Sequence, residues 1–225
     1  MSLARPQLVL FDLDGTLIDT APDLAWSIDE TLQHLQLPAC GETRVRGWIG
    51  SGITGLLHRA LTNDINGRAE PRLFERALEI FHELYYDNIC VRSRIYPGVS
   101  EALAYLRDSG IPSACVTNKA ARFTEKILRE LGLYEAFGII VSGDTLPVKK
   151  PNPEPLLHAL NHFSVEPESA LMVGDSKTDV NAARAAGVPV LGVSYGYNMG
   201  RPISELKPDA AVDSLCELPT LISED

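Results

Sequence analysis

Five short apolar runs, Leu8 to Phe11, Ile111 to Thr117, Gly138 to Val141, Ala170 to Val173 and Val188 to Val193, constrain this chain most, because each reads as a buried strand. Stretches of helical period lie between the later runs. Val99, Leu103 and Leu106 follow Tyr96-Pro97-Gly98 and stop at Ser109-Gly110, while Phe123, Ile127 and Leu131 stop at Gly132. Leu156, Leu157, Leu160 and Phe163 form a further stripe, and Lys177 to Ala186 closes on Gly187. Strands alternating with helices require a parallel sheet with right-handed crossovers and helices on both faces. The fold class is therefore α/β, a doubly wound parallel-sheet (Rossmann-like) core. One more strand and a short helix are expected in the tail from Pro208.

The rhythm breaks after the first run. From Thr20 to Ser93 the periodicity is helical, with Leu24, Ile28, Leu32 and Leu35 on one stripe and Phe74, Ala77, Leu78, Phe81, Leu84 and Tyr85 on another. A βαβ crossover does not need about 70 residues. An inserted all-helical cap subdomain over residues 20–93 explains the length, leaving 1–19 and 94–225 to form the α/β core.

Composition excludes several classes. Lys plus Arg number 20 against 30 Asp plus Glu, a net charge of −10, which disfavours nucleic acid or an anionic membrane as the main partner. No run approaches the length of a membrane-spanning helix, and the first residues lack the apolar stretch of a secretory signal, so a cytoplasmic protein is expected. Cys40, Cys90, Cys115 and Cys216 are scattered without a CxxC pair and read as reduced thiols, Cys115 in a core strand.

Four motifs fall at strand ends, where open α/β sheets bind ligands. Asp12-Leu13-Asp14-Gly15-Thr16 follows the first strand; Asp-Gly is a common turn, but two carboxylates at this spacing suit a hard divalent cation. Thr117-Asn118 closes the second strand with groups that bind phosphoryl oxygens or cap a helix. Lys150 precedes Pro151-Asn152-Pro153, which hold the chain off helix until Glu154. Gly174-Asp175-Ser176 and Asp179 end the fourth strand and open a helix, where Ser176 or Asp179 would serve equally as a cap.

In order and spacing these segments resemble the four signature motifs of the haloacid dehalogenase-like hydrolase superfamily, and the 20–93 insertion resembles its helical cap. Trp48-Ile49-Gly50-Ser51-Gly52 and Ser194-Tyr195-Gly196-Tyr197-Asn198 are similar to stretches of the phosphoglycolate phosphatase branch. The resemblance implies that Asp12 is a nucleophile forming an aspartyl-phosphate, and that Asp14 first protonates the leaving alkoxide and then activates water. The acid role needs a proton on Asp14, which dense negative charge around it would favour. The resemblance further implies Mg²⁺ held by Asp12, the main-chain carbonyl of Asp14, and Asp175. Thr117, Asn118 and Lys150 would take the phosphoryl oxygens, with Thr16 and Asp179 in support.

In the cap, Gly50, Ser51 and Gly52 read as a flexible loop that reaches the crevice and sets specificity, and Arg44 or Arg46 would pair with a substrate carboxylate or remain solvated. The implied activity is Mg²⁺-dependent hydrolysis of 2-phosphoglycolate to glycolate and phosphate. The partner is then a small phosphorylated metabolite, with no nucleic acid and no membrane, and the protein a monomer or homodimer. Alternatives are a phosphatase for another small phosphate such as a sugar phosphate, a β-phosphoglucomutase-like phosphomutase, or a non-enzymatic phospho-Asp sensor. Thr16 favours hydrolysis over the mutase, and the insertion together with Asp14 argues against the sensor.

Overall fold

The computed structural model describes residues 3–50 and 52–222. Six strands form one parallel sheet: β1 (Leu8–Phe11), β4 (Ser113–Val116), β5 (Ile139–Val141), β6 (Ala170–Gly174), β7 (Val190–Val193) and β8 (Ala210–Val212). Their spatial order is β5-β4-β1-β6-β7-β8. The chain winds outward in both directions from β1, so β1 lies at the switch point where such sheets open a crevice. The first expected run is β1 as it stands, the fourth extends by one residue to Gly174, and the other three are trimmed by a residue or two; the tail adds β8 and the short α9 (Leu218–Ile222).

Alternation along the strands separates two cores. Val9, Phe11, Cys115, Leu171 and Val173 face one side, with α5 (Val99–Asp108), α6 (Ala121–Glu130) and α9 against them. Leu8, Leu10, Ala114, Val116 and Met172 face the other, covered by α7 (Glu154–Phe163) and α8 (Lys177–Ala186). All four cysteines are free thiols, and Cys115 is fully buried in β4. No helix among the described residues is long and apolar enough to cross a membrane.

Between β1 and β4 the chain forms α1 (Ala21–His34), α2 (Glu42–Arg46), α3 (Gly52–Thr62) and α4 (Pro71–Asp87). The apolar stripes of α1 and α4 pack together and continue the first core, which runs unbroken from the sheet into Leu24, Ile28, Phe81 and Tyr85. A feature without sequence signal marks the base of this insertion: β2 (Ile18–Asp19) and β3 (Arg94–Ile95) pair antiparallel where the chain leaves and re-enters. Asp23, fully buried beside them, accepts hydrogen bonds from the main-chain N–H groups of Arg92 and Ser93 and from Ser93 Oγ. Trp48 packs in the core, and Trp26 lies under the Arg92 guanidinium.

Candidate active site

The carboxyl ends of β4, β1 and β6 are neighbours, so Thr117, Asp12 and Asp175 converge at the floor of one cleft. The loop after β5 brings Lys150, and the insertion supplies the opposite wall through Leu24, Ile49, Gly50, Gly52, Ile53 and Leu56. Gly15 makes the sharp turn after Asp14 with φ of +91°; a Cβ there would sit 2.5 Å from Asp175 Oδ2. Only glycine meets both demands.

Asp12, Asp175 and Asp179 form a buried cluster whose candidate ligand oxygens lie within 4.8 Å of one another. Lys150 Nζ donates to Asp12 Oδ1 at 2.8 Å and to Asp179 Oδ1 at 2.7 Å. Asp179 thus has two jobs, since its Oδ2 also accepts from Ser176 N and Oγ in the capping box that starts α8. Asp175 is held from both sides, by Thr16 Oγ1 at 3.1 Å and Tyr197 N at 2.7 Å. Burial pushes the Asp12 carboxyl up to about 7; the Lys150 ammonium pulls it down and Asp179 pushes it further up. Burial, Asp179 and Asp12 hold Asp175 well above the ordinary carboxylate range. Three buried carboxylates with one ammonium, bound to two of them, are short of positive charge, and oxygen donors so close together fit a hard divalent cation.

Asp14 stands apart from this cluster. Its Oδ1 accepts from Lys119 Nζ at 3.0 Å and from Thr20 Oγ1 at 2.7 Å, so the charge in contact with it is a cation rather than the dense negative charge expected. The third carboxylate of the cluster is Asp179 rather than Asp14, so any share of Asp14 in a metal set would come through its main-chain carbonyl. That carbonyl has no partner among the described residues, nor do the N–H groups of Leu13, Asp14 and Asn118. Such free N–H groups at a strand end can receive phosphoryl oxygens. Asn118 uses its side chain otherwise: Nδ2 donates to Lys150 O at 2.9 Å and, more weakly, to Gly50 O at 3.5 Å. Thr117 Oγ1 accepts from Lys119 N, which leaves its hydroxyl proton available.

Two expectations for the insertion change. Arg46 forms a two-point ion pair with Asp19 at 3.0 and 2.8 Å and a further bond to Glu42, while Arg44 donates to Asn63. Neither lines the cleft. The glycine segment is not a loop throughout, because Gly52 opens α3; Gly50 and Gly52 line the cleft, and Ser51 lies outside the described residues. The peptide bond joining Lys150 to Pro151 is cis, and α7 begins at Glu154 as the prolines require.

The sequence assigned no role at the site to Lys119 or Tyr85, and Tyr195 and Tyr197 stood out only as part of the stretch similar to one branch of the family. Lys119 directly follows Thr117-Asn118, and that adjacency was the only available signal. Tyr195 Oη donates to Thr16 O at 2.8 Å, and Tyr197 Oη donates to Asp19 while accepting from the N–H groups of Thr20 and Ala21. The two tyrosines flanking Gly196 thereby fix the loop that carries both aspartates.

A parallel sheet with this carboxylate and lysine arrangement at its switch point has the groups that phosphoryl transfer needs. Residues 9–193 match the family described as haloacid dehalogenase-like hydrolase. The chain is 50% identical over 222 residues to a phosphoglycolate phosphatase of Nitrosococcus oceani, covering 99% of each chain. It is 44% identical to the phosphoglycolate phosphatase of Thiobacillus denitrificans, covering 96% of this chain and 95% of that one. A crystal structure of a predicted phosphoglycolate phosphatase from Haemophilus somnus superimposes with a TM-score of 0.90 at 37% identity, over 95% of this chain and 96% of that one. The chain belongs to the haloacid dehalogenase-like hydrolases and, within them, to the phosphoglycolate phosphatase family. It is a phosphatase.

Proposed function

We propose that this phosphatase hydrolyses 2-phosphoglycolate to glycolate and phosphate, with Mg²⁺, through an aspartyl-phosphate on Asp12. The observation that carries the reading is the division of labour between the two aspartates of one loop. Asp12 lies in the carboxylate cluster with its Oδ2 unpartnered among the described residues, whereas Asp14 faces a separate cation.

Mg²⁺, held by Asp12, Asp175 and the Asp14 carbonyl, with Asp179 orienting Lys150, would neutralise the phosphoryl oxygens that otherwise repel a carboxylate nucleophile. In the first step Asp12 Oδ2 attacks phosphorus, the bond from phosphorus to the substrate oxygen breaks, and Asp14 gives that oxygen its proton, releasing glycolate. In the second step Asp14 takes a proton from water, the water oxygen attacks phosphorus, and the bond to Asp12 breaks to yield phosphate. Lys150, Thr117 and the N–H groups of Leu13, Asp14 and Asn118 hold the transferring group in line.

The inserted helices act in this reading as a cap that excludes water and selects a small substrate, with Gly50 and Gly52 on its inner surface. A panel of small phosphate esters, assayed with Mg²⁺ and with EDTA, tests the proposal. We expect the highest kcat/KM for 2-phosphoglycolate and no turnover in EDTA. Equal or faster hydrolysis of sugar phosphates would move the assignment to the broader class.

A further inference from the structure

We propose that Lys119 is the specificity-determining residue that receives the substrate carboxylate, in a subsite formed where β4 meets the inserted helix α4. This rests on the phosphoglycolate reading above and adds to it the group that recognises the acid.

An in-line displacement places nucleophile and leaving oxygen on opposite sides of phosphorus. Asp12 occupies one side, so the carbon chain of the substrate lies on the side of Asp14, which protonates the leaving oxygen. In 2-phosphoglycolate one methylene separates that oxygen from the carboxylate, which therefore falls beside Asp14. The cation found there is Lys119, whose Nζ is 3.0 Å from Asp14 Oδ1.

Lys150 is shared by Asp12 and Asp179 at the nucleophile end, and Arg46 is bound to Asp19 and Glu42. Arg59, which donates to the Trp48 and Ile65 carbonyls, and Lys177 line the adjoining cavity rather than the cleft. Lys119 and Lys150 are the lysines lining the cleft, and no arginine among the described residues lines it. An ammonium carries three N–H donors. For Lys119, Asp14 and Tyr85 Oη, the latter at 2.6 Å, take two of them, leaving one for a ligand.

The ammonium is also held in place. Its side chain is 2% exposed, and Tyr85 is itself packed between Phe81 and Phe123 at ring-centroid distances of 5.3 and 5.1 Å. A desolvated, immobile cation binds a carboxylate more strongly than a solvated one. A sugar phosphate offers a hydroxyl at the corresponding position, which gains less from such a cation.

The test compares 2-phosphoglycolate with 2-hydroxyethyl phosphate, which shares the leaving-group chain but lacks the carboxylate. In wild-type protein the ratio of kcat/KM values favours phosphoglycolate. Lys119→Gln, which retains an N–H donor for Asp14, is expected to lower both values but phosphoglycolate by roughly 10- to 100-fold more, the worth of one charge-assisted hydrogen bond. An equal loss for both substrates would show that Lys119 only positions Asp14 and would overturn the inference. Lys119→Met serves the same comparison if the Gln variant does not fold. A wild-type ratio near one would instead overturn the phosphoglycolate reading, so the two failures are distinct.

Discussion

Two buried lysines divide the cleft, and they differ in what they join. Lys150 bridges Asp12 and Asp179, so every group in its set comes from the α/β core. Lys119 joins Asp14 of the core to Tyr85 of the inserted helix α4. Both ammoniums are held well above the ordinary lysine range by their acidic and phenolic neighbours, which outweigh the opposing cost of burial. In the proposed mechanism the nucleophile end therefore draws its charged groups from the core, while the leaving-group end is assembled where the insertion meets it. The proposal assigns phosphoryl chemistry to the first region and selectivity to the second.

The largest expected effect lies at the nucleophile end. Asp12→Asn should lower kcat by at least about a thousandfold while the melting curve stays cooperative; undiminished turnover would remove Asp12 from the mechanism. Lys150→Gln comes next, with a loss of about a hundredfold or more in kcat/KM, shared equally by 2-phosphoglycolate and 2-hydroxyethyl phosphate. A substrate-dependent loss there would erase the contrast with Lys119.

Thr16→Val removes the hydroxyl that donates to Asp175 Oδ1. Titration of activity with Mg²⁺ should show affinity weakened about 10- to 100-fold at nearly unchanged saturating rate. An unaltered titration would mean that Tyr197 N alone fixes Asp175.

The smallest effect is on stability. Folding raises the Asp12 carboxyl from 3.8 to about 7 and raises Asp175 as well. Such groups contribute stability that is present below the unfolded pKa and lost as pH rises through the folded one. Between about pH 4 and about pH 7 the metal-free protein therefore loses this contribution. Mg²⁺ should raise Tm by more at about pH 8 than at about pH 5, by a few degrees. A Tm gain independent of pH would contradict the cation's place among these carboxylates.

The contrast between the two ends also explains what the sequence could reveal. The strands from Leu8 to Val193 were legible because parallel strands buried on both faces are continuous apolar runs. Asp12, Asp175 and Lys150 were legible because they sit at strand ends or before a proline, and Asp179 because caps prefer its type. Its dual use, capping α8 and binding Lys150, reconciles two readings that the sequence left open. Two-residue strands such as β2 and β3 have no period to detect. The Arg46 pair with Asp19 and the Lys119 pair with Tyr85 join residues far apart in sequence, so neither could be read before the insertion was packed. Arg44 and Arg46, left open in the sequence between a substrate carboxylate and solvent, are bound instead to Asn63 and to Asp19 with Glu42.

The most direct test of the covalent mechanism uses 2-phosphoglycolate labelled with radioactive phosphorus, mixed with excess protein and quenched in acid within a single turnover. Label should appear on the wild-type chain before phosphate is released, be discharged by hydroxylamine as an acyl phosphate is, and be absent from Asp12→Asn. Phosphate release without any labelled chain, or equal labelling of the Asn variant, would contradict nucleophilic attack by Asp12.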